Sequence, residues 1–110
     1  MKVLVTGGSG YFGSLLIDKL LKDGFQVGSL DINKPDIISN KVSFHNADVR
    51  DIIALKKHIQ GYDLIFHSVA QVPLAKNKKL FWEVNVEGTR NICKVALSNK
   101  TRKIVTFLQQ

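Results

Sequence analysis

The chain has 110 residues, of which 45% are hydrophobic, and 16 basic and 9 acidic side chains give it a formal net charge of +7. A chain of this length forms one small domain, and no apolar run approaches the ~18 residues of a membrane span. The single cysteine, Cys93, excludes an internal disulfide and favours a reducing cytoplasm. The basic clusters at 76–79 and 100–103 lack the interleaved aromatic residues of a single-strand binder. We therefore expect a solvated basic surface, without a nucleic-acid or membrane partner, whose excess charge attracts an anionic ligand.

The first predicted elements are a strand over 2–6, a glycine-rich turn and a helix over 11–23. Glycines at 8, 10 and 13 fit the spacing G-x-G-x-x-G, and those at 7, 10 and 13 fit G-x-x-G-x-x-G. The backbone N–H groups of a glycine turn that opens a helix form a cradle for a pyrophosphate. The order strand, turn, helix therefore predicts a dinucleotide site, the alternative being a structural turn without a ligand.

A second strand is predicted over 25–30, and Asp31 stands at its end, 18 residues beyond Gly13. An acidic side chain about 20 residues after the glycine turn accepts hydrogen bonds from the adenosine ribose hydroxyls, and its charge repels a 2′-phosphate. Asp31 therefore favours NAD over NADP, although the nearby Lys34 weakens that preference. The alternative is that Asp31 caps the loop over 31–35.

The remaining pattern continues the alternation of strands and helices. We predict a third strand over 42–46, a helix over 51–59 with Asp51 as its N-cap, a fourth strand over 63–67, a helix over 80–98 and a fifth strand from Lys103. Such alternation predicts a doubly wound α/β fold of Rossmann type, with a parallel sheet in the order 3-2-1-4-5. The ligand crevice is expected at the carboxyl ends of strands one and four, where the winding reverses.

The segment from Thr6 to Gly13, Thr-Gly-Gly-Ser-Gly-Tyr-Phe-Gly, resembles the cofactor turn of the extended short-chain dehydrogenase/reductase family, which includes NAD-dependent nucleotide-sugar epimerases and dehydratases. Four further segments resemble that family, at Asp31, 48–51 (Asp-Val-Arg-Asp), 67–73 (His-Ser-Val-Ala-Gln-Val-Pro) and 85–91 (Asn-Val-Glu-Gly-Thr-Arg-Asn). The resemblance extends to about Val105 and identifies the chain as the N-terminal part of such a protein.

The resemblance implies a set of cofactor contacts. Asp48 would meet the adenine amino group, the alternative being a plain turn acid, and Asn85 would hold the turn after strand four. His67 is expected to be packed at a strand end and not catalytic, and Val69 stands where the family has alanine. The implied cofactor-binding residues are Gly7, Gly10, Tyr11, Phe12, Gly13, Asp31, Ile32, Asp48, Val49, Ser68, Val69, Ala70 and Asn85.

The family's chemistry requires a Tyr-x-x-x-Lys pair, which this sequence does not contain. Tyr11 is followed four positions later by Leu15, and Tyr62 by Phe66. We therefore expect NAD binding without turnover and assign no catalytic residue and no metal ligand. The alternatives are a non-enzymatic dinucleotide sensor and a non-functional remnant.

The last residues, 106–110, depart from the family pattern, where two serines are expected after strand five. This departure is consistent with a frameshifted or truncated gene product, an excerpted domain or a natural stand-alone cofactor binder. An uncovered fifth strand would leave unpaired backbone groups, so we expect homodimerisation or self-association on that side.

Overall fold

The computed structural model describes residues 1–35, 39–68 and 78–106. All five strands pair in parallel in the order β3-β2-β1-β4-β5, which confirms the predicted doubly wound α/β sheet. The elements in chain order are β1 (Lys2–Thr6), α1 (Tyr11–Lys22), β2 (Gln26–Asp31), β3 (Val42–Asn46), α2 (Ile52–His58), β4 (Leu64–His67), α3 (Lys78–Trp82), a π-helical segment (Glu83–Glu87), α4 (Gly88–Ser98) and β5 (Lys103–Thr106).

The central strand β1 is buried on both faces, because helices cover both sides of the sheet. Val3 and Val5 belong to a cluster with Ile17 of α1 on one side. Leu4 belongs to a larger cluster on the other side, with Leu55 of α2 and residues of α4. A continuous run of apolar residues is typical of a parallel strand that both layers cover. The apolar start of the chain thus fixes β1 as the centre of the fold.

The helix predicted over 80–98 has a different form in the structure. It begins at Lys78 and is interrupted by the π-helical segment, after which the Gly88 N–H donates to the Glu83 carbonyl five residues earlier. Hydrophobic periodicity does not reveal one wider turn inside a helical run, so the sequence predicts a single α-helix. At this wider turn α4 packs closely against the loop after β3. A Cβ on Gly88 would be only 2.5 Å from the Val49 Cγ2, so this packing requires glycine.

On one face of the sheet the Tyr62 ring packs directly against Gly28 of β2. The Tyr62 hydroxyl hydrogen-bonds the His45 Nε2 at 2.7 Å, and the His45 Nδ1 lies 3.2 Å from the His58 Nδ1. Burial raises the pKa of Tyr62. Burial also lowers the pKa of His45, and the nearby His58 and Lys2 lower it further. Position 28 has no room for a side chain, since a Cβ there would lie 2.6 Å from the Tyr62 Cζ.

Gly28→Ala is expected to lower the free energy of unfolding by about 1–3 kcal/mol, because the added methyl overlaps the Tyr62 ring in a packed layer. Denaturant unfolding of the variant measures the loss. In a Tyr62→Leu background, where the ring is absent, the same substitution should cost clearly less. Equal costs in both backgrounds would contradict this explanation.

Candidate cofactor-binding site

The glycine turn between β1 and α1 is held in place by backbone hydrogen bonds. Gly7 has a φ of +72°, a conformation that favours glycine. Its N–H donates to the Leu30 carbonyl at 2.8 Å, and the Gly10 N–H donates to the Gly7 carbonyl at 3.1 Å. A Cβ at Gly13 would lie 2.9 Å from the Gly8 Cα and closer still to the Gly7 carbonyl oxygen. Glycine at 13 thus allows α1 to start directly over the end of β1.

The N-terminus of α1 opens at the carboxyl edge of the sheet. Gly10 caps the helix without a side-chain hydrogen bond, and the first turn carries no acidic residue. The side chains of Tyr11 and Phe12 are exposed. The first N–H groups of an α-helix have no partner within the helix and carry partial positive charge. This end of the 12-residue helix therefore has the chemistry of an anion site.

Asp31, at the end of β2, ties the glycine turn to the next loop. Its Oδ2 accepts from the Ser9 N–H at 3.1 Å, and its Oδ1 accepts from the Asn33 N–H at 3.0 Å. The Ser9 hydroxyl in turn donates to the Asn33 carbonyl at 2.7 Å. The structure thus contains the loop-capping role that the sequence offers as the alternative. A carboxylate has about four acceptor positions, so these two bonds leave capacity for a ligand hydroxyl.

A pocket of about 180 Å³ lies beside this turn, at the carboxyl ends of β2 and β3. Four of the predicted cofactor-binding residues, Asp31, Ile32, Asp48 and Val49, line it together. Its walls are mostly apolar, and the carboxylates of Asp31 and Asp48 stand among them. The described residues that line it are Leu30, Asp31, Ile32, Ala47, Asp48, Val49, Arg50, Leu80 and Val84.

Asp48 is engaged by Arg50, a contact that the sequence does not predict. The Arg50 Nη2 lies 2.7 Å from the Asp48 Oδ2, and the Arg50 backbone N–H donates to the Asp48 Oδ1 at 2.9 Å. Arg50 also reaches the Glu83 Oε2 at 3.3 Å. Hydrogen bonding to the Arg50 guanidinium lowers the pKa of Asp48, which keeps its carboxylate ionised. Arg50 therefore fixes an anionic acceptor at the pocket and links it to the π-helical segment.

His67 is buried at the end of β4 and joins three elements. Its Nδ1 lies 2.7 Å from the Thr6 Oγ1, and its Nε2 lies 3.0 Å from the Thr89 Oγ1. Since the Thr89 hydroxyl donates to the Asn85 carbonyl at 2.8 Å, it accepts from a protonated Nε2. The Thr6 hydroxyl then donates to Nδ1. Burial lowers the His67 pKa to about 4, so the imidazole is neutral and held in one tautomer.

Ser68 follows His67 and is fixed to the end of β1. Its N–H donates to the Thr6 Oγ1 at 3.1 Å, and its hydroxyl donates to the Thr6 carbonyl. Together with the His67 contacts, these bonds hold the start of the loop after β4 next to the glycine turn. Ser68 thus lies at the predicted crevice, where β1 and β4 are neighbours in the sheet.

The segment 85–91 contacts the loop after β3 and the end of β4. Asn85 lies in the π-helical segment, and its backbone carbonyl accepts from Thr89. The Asn91 Nδ2 donates to the Val49 carbonyl at 3.0 Å. Position 88 lacks a side chain where it packs on Val49. Spacings of three and four residues in a helix put such positions on one face, and here that face contacts Val49 in the loop after β3 and His67 at the end of β4.

The structure brings the glycine turn, Asp31, Ile32, Asp48, Val49 and Ser68 to one edge of the sheet. Val69 and Ala70 lie outside the described residues. Sequence reasoning did not assign roles to Arg50, Thr89 and Asn91, although all three belong to segments already singled out there. Within residues 1–35, 39–68 and 78–106, no group of three His, Cys, Asp or Glu residues could hold a metal ion. In that same part of the chain, no helix has the length and apolarity that crossing a membrane requires.

Residues 3–108 match the model of the NAD dependent epimerase/dehydratase family. An uncharacterized protein of Sinorhizobium fredii, y4nG, is 44% identical over 102 residues, which cover 93% of this chain and 26% of that protein. The sterol-4-alpha-carboxylate 3-dehydrogenase (decarboxylating) of Mus musculus is 29% identical over 94% of this chain and 28% of its own length. The crystal structure of Thermus thermophilus UDP-glucose 4-epimerase in complex with NAD superimposes with a TM-score of 0.87 at 28% identity, over 94% of this chain and 36% of that one. The chain thus spans about a quarter to a third of the length of these relatives.

The buried neutral His67 makes stability depend on pH. The unfolded chain binds a proton at this side chain near pH 6.5, whereas the folded chain binds it only near pH 4. Stability is therefore lost as the pH falls from about 6.5 to 4, by up to about 3 kcal/mol from this group, and is not lost above that range. His67→Gln should flatten the slope of unfolding free energy against pH, measured by urea unfolding. His58→Gln, at a partly exposed histidine, should retain the larger part of the slope; an unchanged slope in His67→Gln would contradict the assignment.

Proposed function

The chain belongs to the NAD-dependent epimerase/dehydratase family, and from that premise we propose that it forms the NAD-binding N-terminal portion of an oxidoreductase of this kind. The single observation that carries the proposal is the shared edge of the sheet. There the N-terminus of α1 lies next to the pocket that Asp31, Ile32, Asp48 and Val49 line. An anion site beside a mostly apolar pocket with two carboxylates matches the parts of a dinucleotide.

The residues present fit the cofactor at three positions. The pyrophosphate would lie at the N-terminus of α1, where the glycine turn keeps side chains away from the backbone. The adenosine ribose would donate to Asp31, which the Ser9 and Asn33 N–H groups orient. The adenine would enter the pocket between Ile32 and Val49, with its amino group donating to Asp48. Tyr11, Phe12, Ser68 and Asn85 are proposed to contribute along the same edge.

The preference for NAD over NADP rests on the charge of Asp31. A 2′-phosphate at the ribose would place two negative groups next to each other, and the nearest cation in the sequence, Lys34, has an exposed side chain. Solvent and salt weaken the attraction of an exposed lysine, whereas the repulsion at Asp31 acts at contact distance. We propose that NAD is the cofactor and that NADP binds more weakly.

The reaction itself requires groups that this sequence does not contain. When bound, the nicotinamide accepts a hydride from a substrate carbon or returns a hydride to one. No tyrosine in the chain has a lysine four residues later, so the chain has no tyrosine and lysine pair for proton transfer. We propose that the chain binds NAD without turnover and that a complete enzyme of this type acts on a nucleotide sugar. The same observation leaves a non-enzymatic dinucleotide sensor as the second candidate, which epimerase or dehydrogenase activity of the purified chain would exclude.

Calorimetric titration of the purified chain tests the cofactor and the role of Asp31. NAD should bind saturably and more tightly than NADP. Asp31→Asn should reduce NAD affinity by about tenfold or more, because a charge-assisted hydrogen bond contributes about 1.5–3 kcal/mol. Asp31→Asn should also reduce the difference in affinity between NAD and NADP.

Asp18→Asn is the matched control, since it removes one carboxylate from an exposed position in the middle of α1. It should leave both affinities within about twofold, as isolated surface substitutions have small effects. A folded chain that binds no NAD, or that binds NADP equally well, would refute the proposal. Circular dichroism of each variant separates loss of binding from loss of fold.

The contact between Asp48 and adenine is tested with a dinucleotide in which hypoxanthine replaces adenine. This analogue has a carbonyl in place of the amino group and should bind the native chain about tenfold more weakly, because two acceptors then face each other. In Asp48→Ala the two dinucleotides should bind almost equally. A difference that persists in Asp48→Ala would assign amino-group recognition to another residue.

A further inference from the structure

The net charge of the chain is concentrated at one end of the molecule. The amino-terminal edge of the sheet is here called the lower edge. It comprises the strand starts, the last turns of α1, α2 and α4, and the segments that lead from helices or loops into strands. It contains nine basic residues and two acidic ones, Asp23 and Asp63. Elsewhere in residues 1–35, 39–68 and 78–106, six basic and six acidic residues cancel. The nine basic residues are Lys2, Lys19, Lys22, Lys41, Lys56, Lys57, Lys100, Arg102 and Lys103.

The sheet register brings these residues onto one surface although they are far apart in the sequence. Lys2 pairs with Gln26 at the start of β2, Lys41 precedes the start of β3, and Lys103 pairs with Leu64 at the start of β4. Five strands at about 4.8 Å spacing make this edge roughly 20 Å wide. All nine side chains are exposed. Lys19 alone among them has an ion-pair partner within the described part of the chain, Asp23.

The helix dipole explains only part of this distribution. Lys19 and Lys22 lie in the last turn of α1, and Lys56 and Lys57 in the last turn of α2, where cations compensate a partial negative charge of about half a unit. That effect does not apply to Lys2 or Lys103, which start strands. The positive charge therefore exceeds what the helix ends explain.

We propose that the lower edge is a peripheral docking surface for an anionic lipid bilayer, in place of the solvated basic surface expected from the sequence, in which these charges are scattered. Eight of the nine cations are lysines, which attract phosphate groups as point charges and not through a fixed two-pronged geometry. Clusters of four to eight such residues are typical of binding to anionic lipid. Two apolar side chains at the same edge, Met1 and Leu97, are 62% and 81% exposed and can enter the headgroup region.

The observations favour a bilayer over a nucleic acid. The clusters at this edge lack interleaved aromatic residues on which bases could stack. The single arginine among the cations, Arg102, offers little of the paired hydrogen bonding that reads base edges. A surface of lysines with exposed apolar side chains matches a layer of phosphates above acyl chains.

Vesicle sedimentation tests the proposal with the chain as it is. The chain should co-sediment at low ionic strength with vesicles in which roughly one-third of the phosphatidylcholine is replaced by phosphatidylserine, and high salt should release it. Pure phosphatidylcholine vesicles should not bind it. Each lysine near the bilayer is worth about a fivefold change in partition coefficient. Lys56→Gln with Lys57→Gln should therefore weaken binding by roughly 25-fold.

The matched control is Lys78→Gln with Lys79→Gln, which removes two exposed lysines at the start of α3, outside the lower edge. It should change the partition coefficient by less than about twofold. A second lower-edge pair, Lys41→Gln with Lys103→Gln, repeats the test should the α2 pair not fold. The proposal is overturned by no binding to phosphatidylserine vesicles, by equal binding to neutral vesicles, or by equal losses in the control. Tight binding of a DNA duplex without vesicle binding would also overturn it and would assign the surface to nucleic acid.

Discussion

The contact between the Gly13 Cα and the Gly7 carbonyl is the constraint on which the site depends. Because position 13 has no side chain, α1 begins directly over the end of β1 and its N-terminus faces the crevice. The same turn brings the Ser9 N–H within reach of Asp31, so that the ends of β1 and β2 are joined. Without this close approach, the helix terminus would not lie beside the pocket, and the Ser9 N–H would not orient the Asp31 carboxylate.

The fold was predictable because its signals are local and repeated. Apolar runs at Val3–Val5 and at Leu64–Phe66 mark strands, and Gly24 and Gly61 have the positive φ values of residues that follow helices. Once strands alternate with helices, handedness rules leave few arrangements of the sheet. The π-helical segment at Glu83–Glu87 was not predictable, since one additional residue per turn changes the hydrophobic pattern too little.

The candidate site was predictable at single residues but not in its connections. Asp31 and Asp48 were singled out by their distance from the glycine turn and by a motif, and each carries an additional contact that depends on the tertiary structure. Arg50 holds Asp48 and also reaches Glu83, 33 positions away in the sequence. Thr89 fixes the tautomer of His67 from a different helix. Such pairs have no sequence signal because the two partners approach each other only after the sheet has formed.

The distance between the lower-edge lysines and the crevice affects how the proposed cofactor associates with the chain. Five residues of β1 place the glycine turn roughly 16 Å from the lower edge, about twice the Debye length in physiological salt. Counter-ions therefore screen the lysines from a dinucleotide that approaches the crevice. At that salt concentration we expect the lower-edge lysines to contribute little to diffusional capture of the anionic cofactor. At physiological salt the rate of cofactor association should therefore follow the local field of α1 and Asp31, and it should change little when more salt is added.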